Sequence, residues 1–143
     1  MNFLKTEFSA IPENEKLARQ ISAAFVIDLN PTVEEICDIK TAVSEAVTNC
    51  IIHGYQNNGG TVFMKMSTEN NVFEIEIEDL GVGIDNIEKA REPLYTSQPE
   101  MERSGMGFTV MESFMDYVDV ISEKGSGTKV IMRKVFGGND AGR

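Results

Sequence analysis

The sequence predicts an α+β sandwich, with helices lying on one face of a sheet, and three observations predict it. Residues 61–68 and 72–79 alternate apolar and polar side chains at the period of a strand. Residues 14–29 and 32–53 repeat apolar side chains every three or four positions, the period of a helix. The segments follow one another as strand, two helices, hairpin, helix, hairpin, without an internal repeat or a linker.

Taken in order, residues 2–8 alternate, with Leu4, Thr6 and Phe8 on one face and Phe3, Lys5 and Glu7 on the other. Pro12 opens the first helix, where Leu17, Ile21, Ala24 and Phe25 make the expected buried stripe and Glu15, Lys16, Arg19 and Gln20 the outer side. Asn30-Pro31 breaks it. Thr32 with Glu35 forms a capping box for the second helix, which runs to about His53 with Gly54 as its C-terminal stop. Ile36, Ile39, Val43, Val47 and Cys50 form its buried stripe, while Glu45, Asn49 and His53 step along a neighbouring face at intervals of four.

Asn57-Asn58-Gly59-Gly60 is a turn into the hairpin. There Val62, Met64, Met66, Phe73, Ile75 and Ile77 point inward, and Glu74, Glu76 and Glu78 outward. Asn86 caps a short helix over residues 87–91, and residues 92–103, with Pro93 and Pro99, form a loop. A third long-period helix starts near Met106, buried through Phe108, Met111, Phe114 and Met115. Strands 117–122 and 128–136 close a single domain over residues 1–136, and residues 137–143 form a flexible tail.

At 143 residues and 15.8 kDa, with 41% hydrophobic content, the chain suits one buried core. A net charge of -10 opposes sequence-independent nucleic-acid binding, which depends on Lys and Arg meeting phosphates, and favours protein partners with a basic patch. No run approaches the roughly 20 apolar residues of a membrane span, and the N-terminus lacks a signal-peptide pattern, so a cytoplasmic protein is expected. Cys37 and Cys50 lie too far apart along one helix to bridge and are expected as reduced, structural thiols.

Chemistry concentrates in three short runs. Asp79 ends a strand at the rim of the sheet, where its carboxylate would accept from an exocyclic amine, and Gly81 and Gly83 permit close backbone approach. Ser104-Gly105-Met106-Gly107-Phe108 opens a helix, so its N–H groups and the positive helix end suit a phosphate. Neither a P-loop nor a strand-linked Gly-x-Gly-x-x-Gly is present. Glu45 and Asn49, one turn apart, suit a general base beside a metal ion in phosphoryl transfer. Arg103 could stabilise charge on a terminal phosphate. His53 sits at a helix end, where capping the last carbonyls is its expected role. Thr128 begins the last strand, where its hydroxyl could reach a base through water or merely favour β structure. The methionines are expected to fill the core.

Together, Glu45-Ala46-Val47-Thr48-Asn49, Asp79-Leu80-Gly81-Val82-Gly83 and Ser104-Gly105-Met106-Gly107-Phe108 resemble the N, G1 and G2 boxes of the GHKL ATPase/kinase superfamily. The runs Ser44-Glu45-Ala46-Val47-Thr48-Asn49, Ile51-Ile52-His53-Gly54-Tyr55 and Glu102-Arg103-Ser104-Gly105-Met106-Gly107-Phe108-Thr109 resemble, within it, the bacterial anti-sigma serine kinases of sporulation. The resemblance implies a Bergerat ATP-binding fold with a mixed, mostly antiparallel sheet. It implies ATP and Mg²⁺ as ligands: Asp79 receives the adenine amine, Asn49 holds Mg²⁺, and Glu45 is the base for a serine hydroxyl. Gly81, Gly83, Ser104, Gly105, Met106, Gly107 and Thr128 complete the nucleotide site, Arg103 joins Glu45 in catalysis, and residues 88–106 form a mobile lid.

It further implies a homodimer that sequesters a sporulation sigma factor and phosphorylates a serine on an anti-anti-sigma protein, with Arg19 on the partner-binding surface. The lid run Tyr95-Thr96-Ser97-Gln98-Pro99 departs from relatives that carry a lysine before the proline, so one cation near the phosphates is missing. Competing expectations are a serine kinase of the general stress response and a module that holds ATP without transferring phosphate. A histidine-kinase catalytic domain is disfavoured, because His53 lies inside the nucleotide-binding region and no phosphoacceptor helix precedes it.

Overall fold

The computed structural model describes residues 1–92 and 107–137. Its elements are β1 (Asn2–Ser9), α1 (Glu13–Phe25), α2 (Val33–Asn49), β2 (Thr61–Glu69), β3 (Val72–Asp79), α3 (Ile87–Ala90), α4 (Gly107–Phe114), β4 (Tyr117–Ser122) and β5 (Thr128–Val135). The strands form one sheet in the order β1-β2-β3-β5-β4. Every described ladder is antiparallel, where a mixed sheet was expected. Helices α1 and α2 return the chain from β1 to β2, hairpins join β2 to β3 and β4 to β5, and the connection from β3 crosses to the edge strand β4 and leaves the place between them to β5, so no two paired strands run parallel.

Alternation decides which face is dry. Val62, Met64 and Met66 of β2, Phe73, Ile75 and Ile77 of β3, and Val130 and Met132 of β5 all lie beneath the helices and are buried. The opposite face carries charge ladders: Glu74 pairs with Arg133 and Glu76 with Lys129 across β3 and β5. The β2–β3 hairpin turns through Asn70 and Asn71, both at positive φ, the backbone a two-residue turn between twisted strands needs.

The capping box of α2 is formed as predicted, Glu35 N–H donating to Thr32 Oγ1 at 3.0 Å and Thr32 N–H to Glu35 Oε1 at 2.9 Å. Beneath it Ile39, Ala42, Val43, Ala46 and Val47 are buried, and Ile36 is half-buried. Helix α1 is turned from its expected setting: Ala18 and Ser22 are buried, followed by Val26 just beyond the helix, whereas Leu17 is 45% exposed and Ala24 is exposed. Two small residues let α1 approach α2, and the buried Ser22 hydroxyl is satisfied by the Ala18 carbonyl at 2.8 Å. The helix ends at Phe25 and passes into a 3-10 turn, Ile27–Leu29, shorter than the helix expected to residue 29. Phe114 of α4 is exposed instead of buried, because Phe108, Met111 and Met115 already fill the inward stripe.

Candidate functional site

Where α2 ends, the backbone does not stop but widens into a π turn, Cys50–Gly54, closed by Tyr55 N–H donating to the Cys50 carbonyl at 2.9 Å. Gly54 therefore does not end the helix through a left-handed backbone. Its missing side chain makes room: a Cβ there would fall 2.6 Å from the Asp79 carboxyl. Asp79 is the next inward position after Phe73, Ile75 and Ile77, and is 3% exposed. A carboxylate thus occupies the core-facing row at the rim of the sheet.

Its burial is matched by donors. Gly81 N–H donates to Asp79 Oδ1 at 2.9 Å, and the Thr128 N–H and the Cys50 thiol also hydrogen-bond the carboxyl. Burial pushes the Asp79 carboxyl above the usual carboxylate range, and these three donors pull it partly back. Cys50 goes the same way more strongly, raised well above an ordinary thiol by burial first and then by the charge of Asp79.

The glycines of this loop serve the protein's own backbone. A Cβ on Gly81 would sit 1.9 Å from the Gly54 carbonyl oxygen, which accepts from Val82 N–H at 2.9 Å. Gly83, at φ +76, lies against the Glu123 carbonyl, again 1.9 Å from an added Cβ. Gly81→Ala is expected to cost about 3 kcal/mol, because backbone meets backbone and no flexible side chain can yield. Thermal melts should show a Tm lower by about 10 °C for a chain of this size; an unchanged Tm would mean that this packing is wrong.

Asp79 opens onto a cavity of about 460 Å³, within the usual size of small-molecule sites. Ala46, Ile77 and Val130 supply apolar wall, and Asn49, Asp79 and Thr128 supply polar groups. Ser122 Oγ donates to the Gly127 carbonyl at 2.8 Å and accepts from Ile84 N–H at 2.8 Å, so its 2.8 Å contact with Thr128 Oγ1 takes the Thr128 proton. Thr128 Oγ1 then keeps acceptor capacity toward the cavity. At the opposite end Gly107, the first residue of α4, packs on Asn49: a Cβ there would lie 3.1 Å from Asn49 Nδ2. The start of α4 and the Asn49 amide therefore share one wall.

Of the residues singled out by sequence, the fold brings Asn49, Asp79, Gly83, Gly107 and Thr128 to this cavity. Glu45 is half-buried on α2 one turn before Asn49, outside the cavity lining, and Gly81 is held behind the loop. Arg103, Ser104, Gly105 and Met106, with most of the expected lid and the Gln98 departure, lie outside the described residues. Arg19 sits on α1, away from the cavity lining, in an ion pair with Glu15 four residues earlier. Sequence reasoning missed Cys50 as a partner of Asp79, and His53 and Lys89 as cavity-lining residues. The signal for the first was Cys50 directly following Asn49: its N–H donates to the Ala46 carbonyl as in a regular helix, so the buried stripe of α2 itself carries Cys50 to the sheet rim where Asp79 sits. Among the described residues no cluster of three or more His, Cys, Asp or Glu could hold a metal ion. A divalent ion bound through the Asn49 amide would draw its other oxygens from phosphates and water, the usual habit of Mg²⁺.

A sheet with a carboxylate at its rim, a helix amide facing it across a cavity and a second helix starting beside that amide define a nucleotide-binding domain of the ATPase/kinase type. Residues 8–134 match the histidine kinase-like ATPase domain. Two solved structures share the fold: the RsbU and RsbW domains of a Mycobacterium tuberculosis protein, with TM-score 0.66 and 15% identity over 94% of this chain and 32% of that one, and the catalytic domain of the histidine kinase ThkA, with TM-score 0.57 and 14% identity over 94% and 96%. An anti-sigma F factor of Clostridium acetobutylicum is 60% identical over 135 residues, 94% of each chain. Those of Clostridium perfringens and a Geobacillus species are 58% and 54% identical, over 93% of this chain and 96% and 92% of theirs. The chain belongs to the histidine kinase-like ATPase family and, within it, to the anti-sigma F factor group. No described helix is long and apolar enough to cross a membrane.

Proposed function

We propose that the protein is an ATP-dependent anti-sigma factor that binds and restrains a sporulation sigma factor and phosphorylates a serine on its anti-anti-sigma antagonist. The observation that carries the nucleotide part is Asp79, a carboxylate at the closed end of a cavity whose hydrogen-bonding is met on the protein side and open on the cavity side. Adenine enters there, its exocyclic amine donating to Asp79 and its ring on Ile77 and Val130, with Thr128 accepting through water. The triphosphate runs toward Asn49 and Gly107, past Gly83, and Arg103, Ser104, Gly105 and Met106 contact it, as the resemblance of their run to the G2 box implies. Asn49 would hold Mg²⁺, which when bound would supply charge neutralisation on the phosphates.

In the transfer a substrate serine oxygen attacks the γ-phosphorus, its proton passes to Glu45, and the bond to the β-phosphate oxygen breaks to leave ADP. Arg103 stabilises the charge that develops. Restraint of the sigma factor is nucleotide-dependent only insofar as the two nucleotide states differ in affinity for it. The Arg19 region of α1 is the partner surface, and the working species is a homodimer.

The support for the protein partners is the high identity to anti-sigma F factors over nearly the whole chain. Incubating the protein with Mg-ATP and a candidate anti-anti-sigma protein, then locating added phosphate by mass spectrometry, tests the reading. One phosphoserine on the candidate is expected; nucleotide binding without transfer to any anti-anti-sigma protein leaves only an ATP-holding module.

A further inference from the structure

The carboxylate of Asp79 is gripped by the Gly81 N–H, the Thr128 N–H and the Cys50 thiol. A carboxylate offers about four lone-pair sites, so these donors leave about one for whatever enters the cavity that Asp79 and Cys50 both line. Two of the three donors are backbone groups that no side-chain change removes. Cys50 is the adjustable one. The last turn of α2 brings it there, and the bare Gly54 in the π turn that follows lets the carboxyl close against the backbone.

We propose that Cys50 is a positioning residue of the nucleotide site: its S–H fixes the Asp79 carboxylate so that the remaining acceptor lobe takes a 6-amino purine and refuses a 6-oxo purine. This rests on the nucleotide reading of Asp79 given above. Without the thiol donor, one lobe of a buried carboxylate goes unmatched and the group turns or takes up water, which blurs the distinction between an amine and a carbonyl at the purine edge.

The test measures dissociation constants for Mg-ATP and Mg-ITP, which differ at the 6 position of the ring, on the full chain and on Cys50→Ala and Cys50→Ser. Cys50→Ala should lose about 3- to 10-fold of the preference for ATP over ITP, mainly through weaker ATP binding, and Cys50→Ser, which keeps a donor, should restore most of it. Cys50→Val, a second side chain without a donor, replaces Cys50→Ala if that variant does not fold. Equal weakening of both nucleotides, an unchanged preference, or no rescue by serine would overturn the positioning role while leaving the nucleotide site in place. Absence of ATP binding by the unaltered protein would remove both.

Discussion

Asp79→Asn is expected to lower ATP affinity about 100-fold, because it removes a buried charged acceptor and turns an amide donor toward three protein donors and the adenine amine. Calorimetric titration checks the number, and an affinity within about threefold of the unaltered protein would mean that Asp79 does not meet the base. The same group fixes a pH dependence. Burial raises the carboxyl in the folded protein, so the folded state holds a proton at pH values where the unfolded chain has lost it. Stability therefore falls as pH rises from the ordinary carboxylate value to the raised one, and Asp79 costs stability above that window. Thermal melts of the unaltered protein should gain on those of Asp79→Asn as pH falls through the window, and ATP affinity should drop there as the carboxylate is protonated.

Glu45→Ala is expected to lower the rate of serine phosphorylation about a thousandfold while leaving ATP affinity nearly unchanged, the size typical of a lost general base. The separation follows from position. Glu45 is one turn from Asn49 on α2 but does not line the cavity that receives the nucleotide, so its side chain can serve the incoming hydroxyl without contributing to adenine or phosphate binding. Single-turnover transfer of the γ-phosphate to the antagonist, beside a nucleotide titration, reads both quantities. A parallel fall in affinity would make Glu45 a binding residue, and an unchanged rate would remove it as the base.

The parts of this fold legible in the sequence are those set by short-range periodicity. Strict alternation through Phe73, Ile75 and Ile77 fixed the inward row and with it the core-facing position of Asp79, since strand side chains cannot drift from a period of two. Thr32 and Glu35 marked the start of α2 because a capping box is a local exchange of two hydrogen bonds. What stayed hidden depends on distant partners. Ala18 and Ser22 lie inward because small residues let two helices approach, and Ser22 is satisfied within its own helix, neither of which apolar periodicity registers. The contact of Cys50 with Asp79, and the fit of Gly54 against the Asp79 carboxyl and of Gly81 against the Gly54 carbonyl, arise from contacts between segments 25 or more residues apart. The first two boxes, with Gly107 and Phe108 of the third, marked residues that the fold gathers at one cavity, while the tertiary fold decided that Gly81 packs behind its loop and that Cys50 lines the cavity.

The central claim is that a purine nucleotide binds in the cavity capped by Asp79. Titrating Mg-ATP into the folded protein by calorimetry tests it most directly: a saturable heat corresponding to one nucleotide per chain, largely abolished in Asp79→Asn, is the predicted result. No saturable heat, or the same heat in both proteins, would contradict it.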